Sequence, residues 1–435
     1  MVATIVISAI TFLLVTISIV AFPFIKIKGI KISTYWLIAL FGALILLASS
    51  LAPINEVYKE LTSSNSINPL KILVLFFSMT ILSIYLDEVG LFKYLAIKAT
   101  KRAKSNQLVL FFILYLLTSV LTIFTSNDIV ILTLTPFICF FCKNAKINPL
   151  PYLIMEFAAA NTWSMMFIIG NPTNIYLATS MRVGFIDYLK VMFLPTLFAG
   201  FTELLIVYLL FKKKLKEPIN VSEEDYQIDS KLDLIIGVIA LSICLIFLVI
   251  SSYIGVEMWI ISLSCASGLL LIASILRLIS KKNWNYLTGS LKRLPYPLIP
   301  FMLSMFVIVI ALNYQGVSLQ IGNLLNQGTN TIWIYGYSSL LASNLINNIP
   351  MSILFSNLPI GLSSIEYTKS IYASVIGSNI GAFLTPLGAL AGIMFSSLVN
   401  KYEVKFTFVD FIKYGFAIAL PTITMALLGL FVITL

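Results

Sequence analysis

Apolar residues in this chain gather into long unbroken runs separated by short polar connections. The stretches from Ile5 to Phe22, Tyr35 to Leu51, Leu108 to Phe124, Leu232 to Ile250 and Phe416 to Leu435 approach or exceed the roughly 18 residues that predict a membrane span. The pattern therefore predicts an all-α polytopic membrane protein. Four other features interrupt it. The segments 107–141 and 149–180 are too long for one span and break at Thr125, Ser126, Asn127 and Asp128 and at Gly170, Asn171, Pro172, Thr173 and Asn174. In the second half, 331–359 breaks at Ser343 to Pro350, and 371–398 is expected to break at Gly377, Ser378, Asn379, Ile380 and Gly381.

Composition supports the same class. A length of 435 residues alone would suggest two or three soluble domains, but 59% hydrophobic against 11% charged residues cannot make a water-exposed surface. The first run has neither a basic start nor a small-residue cleavage site, so it reads as a span and not a signal peptide.

Charge adds sidedness. Lys26, Lys28 and Lys31 follow the first run, whereas the next connection balances Glu56, Lys59 and Glu60, which puts the first cluster in the cytoplasm and the N-terminus outside. After a third span at 71–86, the stretch from Asp87 to Lys104 carries Lys93, Lys98, Lys101, Arg102 and Lys104 and is expected to lie along the cytoplasmic interface. Because Lys143 and Lys146 follow segment 107–141, basic residues flank both of its ends, which favours a re-entrant hairpin turning at Thr125–Asp128. Segment 149–180 then crosses outward, and 185–211 returns to Lys212, Lys213, Lys214 and Lys216. A cytoplasmic linker, 217–231, with Glu223, Glu224, Asp225 and Asp229 divides the halves.

The second half repeats this plan with opposite sidedness. Spans at 232–250 and 258–276 precede Arg277, Lys281 and Lys282, and a span at 296–312 follows Lys292 and Arg293. The charge-free stretch 313–330 is the external counterpart of the lysine-rich one, the hairpin 331–359 and the broken span 371–398 follow, and 411–435 exits after Lys401 and Lys405. The expected architecture is two inverted-topology repeats, 1–216 and 232–435, with about ten spans and two re-entrant hairpins in a cell membrane, both termini external.

The chain has no histidine and four cysteines, which excludes His-ligated zinc and an imidazole proton relay. Cys139 and Cys142 share a helix face, a spacing open to redox or soft-metal chemistry, although cysteine in an apolar run commonly acts as a small hydrophobe. A net charge of +10 comes from clusters beside spans, without the aromatic interleaving of a nucleic-acid surface.

Unwound backbone within a bilayer must be buried in protein or line a polar cavity, so the breaks predict an internal site. Half-helix N-termini suit anionic groups, while Asn and Ser oxygens suit Na⁺, with Ser126, Asn127, Asn171, Asn348 and Asn379 as candidate ligands. Asn347 is an alternative to Asn348 in the second half. Asp128 is ionisable at a hairpin tip, and two readings stand: a coupling-ion site or a helix cap. Glu156 and Glu203 lie within apolar runs, where they either function or snorkel, pair with lysine or sit in a vestibule.

Five stretches carry a resemblance: LDEVGLFKYLAIKATK (86–101), TSNDIVILTLTPF (125–137), GNPTNIYLA (170–178), NLINNIPMSIL (344–354) and IGSNIGAFLTPLGALAGIMF (376–395). In this order they resemble the arsenical pump permease family of the ion transporter superfamily, which also holds citrate and divalent-anion/sodium symporters. The resemblance implies hairpins and unwound helices around a central site, often in a dimer. Asn127 and Asp128 match the family's first hairpin tip, Asn347, Asn348 and Pro350 its second, and Thr385, Pro386 and Gly388 its TPxG stretch. GNPTN is similar to the unwound loop of the anion symporters. Ser378 and Asn379 stand where those permeases carry Cys-Asp, a departure that weakens arsenite selectivity and a two-acid proton path and is closer to sodium-coupled relatives.

The expected function is secondary active transport of a small anion or oxyacid, dicarboxylate/citrate-like or arsenite-like, coupled to Na⁺ or H⁺. A Na⁺/H⁺ antiporter, a passive channel and a membrane-embedded enzyme are the alternatives, the last lacking any histidine, metal cluster or Ser/Lys pair. No cofactor is expected beyond the coupling ion. The expected partners are the bilayer, the solute, its ion and a second copy of the chain, with no nucleic acid.

Overall fold

The computed structural model describes residues 1–27, 30–62, 68–103, 106–217, 227–280, 283–328 and 330–435. Lys28, Lys104, Lys281, Lys282 and the linker's Glu223, Glu224 and Asp225 lie outside them.

The described chain is nearly all helical. The first half comprises α1 (Val2–Ala21), α2 (Thr34–Ala48), α3 (Ile54–Thr62), α4 (Pro69–Glu88), α5 (Leu91–Ala103), α6 (Gln107–Phe124), α7 (Asn127–Asn144), α8 (Leu150–Trp163), α9 (Pro172–Ser180) and α10 (Phe185–Phe211). The second comprises α11 (Lys231–Ile254), α12 (Met258–Ser280), α13 (Asn285–Lys292), α14 (Leu298–Tyr314), α15 (Val317–Leu325), α16 (Thr331–Ile346), α17 (Asn348–Phe355), α18 (Ser364–Gly381), α19 (Leu390–Lys401) and α20 (Phe408–Ile433). An all-α chain was expected, and one element departs from it. Strands β1 (Phe24–Ile27) and β2 (Ile30–Ser33) pair antiparallel, with Lys26 opposite Lys31 and Ile25 opposite Ile32. The cause is the period-two alternation of isoleucine and lysine, a strand pattern that coincides with the first cluster of basic residues.

By length and composition, seven described helices can cross a membrane: α1, α4, α6, α10, α11, α12 and α20. The other expected crossings are short or broken. Helix α2 is shorter, α14 and α15 pass together but bend by 78°, and the segments α8–α9 and α18–α19 are interrupted. Exposed side chains such as Leu232, Ile235, Ile239, Ile246 and Phe247 give α11 a lipid-facing flank, whereas α8 is buried from Pro151 to Thr162 and α18 from Ser370 to Gly381. A helix buried all round belongs to the centre of the bundle.

Helix pairings in the two halves correspond. Helix α1 packs on α2 and α11 on α12; α2 reaches across to α14, and α12 to α4. Helix α6 packs on α8 and α16 on α18, while α7 meets α19 and α9 meets α17. The last helices of the halves, α10 and α20, pack on each other.

One expected break is misplaced. Helix α18 runs unbroken through Gly377, Ser378, Asn379, Ile380 and Gly381, and the interruption comes after it, between Gly381 and the start of α19 at Leu390. The two glycines serve close packing: a Cβ on Gly377 would meet Ser339 Oγ and the Gly336 carbonyl of α16, and one on Gly381 would meet Ser343 Oγ. Small residues at helix crossings let backbones approach in membranes. The non-helical residues 382–389 include Pro386, which has no N–H to continue a helix.

Candidate functional site

The first hairpin turns where expected. Helix α6 ends at Phe124, Ser126 is extended (φ −152°, ψ 144°), and α7 begins at Asn127. Thr125 Oγ1 donates to the Leu121 carbonyl at 2.6 Å. Asn127 Nδ2 donates to Asn161 Oδ1 of α8 at 3.0 Å, and Asn161 in turn donates to the Phe157 carbonyl at 2.8 Å. Asn161 is absent from the sequence-based set, although an amide inside the buried run FAAANTW was a visible signal. Ser126 Oγ, Asn127 Oδ1 and Thr122 Oγ1 are buried oxygens with no hydrogen-bond partner among the described residues.

The break between α8 and α9 is a pair of single 3₁₀ turns, Ser164–Met166 and Ile168–Gly170, joined at extended Phe167. Unwinding frees carbonyls there, and Asn174 Nδ2 satisfies two of them, Ser164 O at 2.8 Å and Phe167 O at 3.2 Å. Gly170 is fixed by close backbone approach, since a Cβ would meet the Ser164 carbonyl. Asn171 caps α9 by accepting from Thr173 N and Oγ1, both at 3.1 Å, and Pro172 fills the first helical turn, where no N–H is needed.

Asn379 of α18 closes this network from the other half. Its Oδ1 accepts from Ser164 Oγ at 2.9 Å and Asn171 Nδ2 at 3.2 Å; its Nδ2 donates to Asn174 Oδ1 at 2.6 Å and to the Val375 carbonyl at 2.8 Å. Ser378 Oγ donates to Thr173 Oγ1 at 2.9 Å. The oxygens of Asn171 and Asn379 are thus occupied, unlike those at the first hairpin tip.

The second tip turns on Asn347, whose φ of 71° and ψ of 153° make a backbone conformation that residues with a side chain rarely adopt. Asn347 Nδ2 donates to the Leu387 carbonyl at 3.2 Å and Asn348 N to the Gly388 carbonyl at 3.0 Å. Asn344 Nδ2 donates to the Gly381 carbonyl at 3.0 Å, while its Oδ1 accepts from Thr385 Oγ1 at 2.7 Å. Ser343 Oγ returns to its own helix at the Leu340 carbonyl. This tip is therefore knitted to the α18–α19 break, and the TPLG residues take the place expected for GSNIG.

Asp128 lies in the first turn of α7, half-buried, on the wall of a cavity of about 240 Å³ that also reaches Tyr35, Thr80, Arg293, Leu298 and Met394. Among the described residues its carboxylate has no hydrogen-bond or ion-pair partner. It is not the helix cap either: that position is Ser126, which makes no side-chain capping bond. A second cavity, about 390 Å³, lies between α9 and α17 and includes Tyr176, Ser356, Phe306 and Asn313, with Glu56 and Glu60 of α3 on its wall. Helix α14 lines both cavities, the first with Leu298 and the second with Phe306 to Tyr314; Phe301, Met302 and Met305 between them are buried.

Glu156 and Glu203 do not snorkel. Both are fully buried, Glu156 Oε2 accepting from Thr135 Oγ1 at 3.0 Å and Glu203 Oε2 accepting from Thr162 Oγ1, and each leaves Oε1 without a partner. Cys139 and Cys142 are buried free thiols. Arginines also tie helices together by ion pairs. Arg293, before α14, binds Asp87 Oδ2 at 2.6 Å and Glu88 Oε1 at 2.7 Å at the end of α4. Arg277 of α12 binds Asp233 Oδ1 of α11 at 2.9 Å, and the same oxygen accepts from Tyr85 at 2.7 Å.

Known proteins resemble this chain in sequence or in fold. The arsenical pump membrane protein of Escherichia coli is 25% identical over 376 residues, which span 82% of this chain and 84% of that protein. A putative arsenical pump membrane protein of Bacillus subtilis is 24% identical over 434 residues, covering 90% and 93%. The crystal structure of the YdaH transporter from Alcanivorax borkumensis, described as having an unusual topology, superposes with a TM-score of 0.55 at 15% identity over 99% of this chain and 97% of that one, a likeness of fold. The family model described as citrate transporter, CitMHS, matches residues 19–375, most of the chain, so this protein belongs to the CitMHS citrate transporter family and is a polytopic membrane transporter.

Proposed function

We propose that the chain is a secondary active transporter that moves a small anion or oxyacid, dicarboxylate/citrate-like or arsenite-like, across the cell membrane in exchange or symport with Na⁺ or H⁺. The observation that carries this reading is Asp128: an unpartnered carboxylate at a helix-hairpin tip, facing a cavity between the halves. An ionisable group in a membrane interior is costly unless a cation or water reaches it, so a group kept there without a protein partner suits a coupling ion. The unpartnered Ser126 and Asn127 oxygens beside it are neutral ligands of the type Na⁺ takes.

The reading includes two inverted repeats, 1–216 and 232–435, with residues 217–231 as a cytoplasmic linker, both termini external, and a homodimer. The corresponding helix pairings support the repeats. Leu298 and Phe306 of α14, on the walls of the two cavities, are eight residues apart, about 12 Å along a helix, and the buried Phe301, Met302 and Met305 lie between them, an arrangement that suits alternating access. The same oxygens and carboxylate also fit a Na⁺/H⁺ antiporter without an organic solute.

Reconstitution in liposomes separates these readings. Na⁺ and H⁺ gradients are imposed singly while labelled citrate, succinate, sulfate and arsenite are screened for uptake. Gradient-driven uptake supports symport or exchange, and exchange of Na⁺ for H⁺ alone supports the antiporter. Transport fails as a reading when neither solute nor ion moves against its gradient.

A further inference from the structure

Three sulfur atoms from three helices meet inside the bundle, away from both hairpin tips. Helix α11 buries a stripe that runs through Gly237, Leu241, Cys244 and Leu248, and Cys244 lies near the middle of the helix, fully buried. Its thiol donates to the Met79 thioether of α4 at 3.6 Å and is in hydrogen-bond contact with Cys265 of α12. Met79 is buried and Cys265 half-buried. None of the three lines the cavity at Asp128 or the one between α9 and α17.

A buried cysteine alone packs as a small hydrophobe. Here two thiols and a thioether, far apart in sequence, are pooled at one helix crossing, and such soft donors select Cu⁺ over hard cations. No group of three His, Cys, Asp or Glu that could hold a metal ion occurs among the described residues, so the thioether is the third donor. A zinc–thiolate bond is about 2.3 Å, and on that scale two sulfurs can share one ion at separations up to about 4.6 Å. The 3.6 Å between Cys244 and Met79 lies inside that limit. Coordination number and charge then choose the ion. Structural zinc takes four ligands, one more than the sulfurs present. A charge within the bilayer is costly unless it is neutralised, and a single thiolate neutralises a monovalent ion.

We propose that Met79, Cys244 and Cys265 form a binding site for one soft monovalent cation, Cu⁺ or its redox-inert analogue Ag⁺. Binding replaces the Cys244 thiol proton with the ion: an S–H bond breaks, a sulfur–metal bond forms, and the proton passes to water. The Met79 thioether donates a lone pair, and Cys265 completes the sulfur set as a neutral thiol. No electron is transferred, and the loaded site carries no net charge. The ion ties α4, α11 and α12 together at their crossing.

The test uses the purified full chain in chloride-free detergent buffer with a non-thiol reductant. It is titrated with Cu⁺ in competition with bathocuproine disulfonate, and with Ag⁺ by equilibrium dialysis. The expected result is one ion of either kind per chain, not displaced by Zn²⁺, with a raised thermal unfolding midpoint because the ion binds the folded state. Cys244→Ala is expected to abolish binding. Met79→Leu, a swap of similar volume that cores tolerate, is expected to weaken binding about tenfold or more, since removing even a group behind a metal ligand costs that much. The second variant keeps the site testable if the first does not fold. Cys139→Ala combined with Cys142→Ala should bind as the wild type does. No ion retained, or an ion that Zn²⁺ displaces, would overturn the ligand class. Binding unchanged in Cys244→Ala and Met79→Leu, or lost in the Cys139 and Cys142 variant, would overturn the location.

Discussion

Asn379 of the second half donates its amide to Asn174 Oδ1 of the first at 2.6 Å, across 205 residues of sequence. Because Asn379 also accepts from Ser164 and Asn171, one neutral side chain closes the break between α8 and α9. These bonds link α18 to the α8–α9 break and occupy the amide on both sides. Asn379→Ala leaves one buried donor, Asn171 Nδ2, and one acceptor, Asn174 Oδ1, unpartnered, at about 1–3 kcal/mol each before relaxation, while Ser164 Oγ keeps its bond to the Asn161 carbonyl. The expected outcome is a clearly lowered thermal unfolding midpoint in detergent, read by intrinsic fluorescence. An unchanged midpoint would refute a stabilising role for these bonds.

Asp128→Asn is expected to behave in the opposite way. The carboxylate has no described hydrogen bond or ion pair to lose, so the change removes charge without breaking structure and stability should stay within about 0.5 kcal/mol, as for substitutions away from packed features. Gradient coupling should fall by tenfold or more, on the order of one lost ion interaction. Paired measurements of unfolding midpoint and Na⁺- or H⁺-driven uptake check this, and wild-type coupling in the variant would remove Asp128 from the ion path.

Gly377 and Gly381 were legible as special but not for the right reason. A Gly-Ser-Asn-Ile-Gly stretch in an apolar run has the composition of an unwound loop, yet the same small residues also permit helix crossing, and sequence periodicity does not separate the two. The first tip was legible because Thr125 and Ser126 interrupt long apolar runs on both sides. Contacts such as Arg293 with Asp87, or Asn127 with Asn161, were not legible, since they depend on which helices meet and not on local pattern. The β1–β2 pair is hard to see in the sequence because the same lysines that signal sidedness also alternate with isoleucine, and a run of four such residues is too short to stand out between two apolar spans.

Gly377→Ala tests the close-packing explanation. The added Cβ would press on Ser339 Oγ and on the Gly336 carbonyl, and backbone atoms of a packed helix cannot step aside as a flexible side chain can. Overpacking of this kind costs about 1–3 kcal/mol, so the unfolding midpoint should drop. Gly255→Ala meets no atom within 4 Å but sits at φ 67°, so its cost is conformational strain alone. If Gly377→Ala is as stable as wild type, α16 and α18 do not depend on small residues at their crossing.

Sodium binding, if it couples transport, should act at the first tip and not at the second-half network. Ser126 Oγ and Asn127 Oδ1 are buried and unpartnered, whereas the oxygens of Asn171 and Asn379 already accept hydrogen bonds. A ligand that binds only the folded state stabilises it by RT ln(1 + [L]/Kd), about 2.7 kcal/mol at a hundredfold excess over Kd. Raising NaCl against choline chloride at constant ionic strength should therefore raise the unfolding midpoint of the wild type. Asn127→Ala should remove that increment, because it deletes a ligand oxygen. Asn171→Ala should lower the midpoint in either salt and keep the increment, because it breaks the α9 cap without touching the tip. The reverse result, with the increment lost only in Asn171→Ala, would move the cation to the α8–α9 break and require the Asn171–Asn379 hydrogen bond to open when sodium binds.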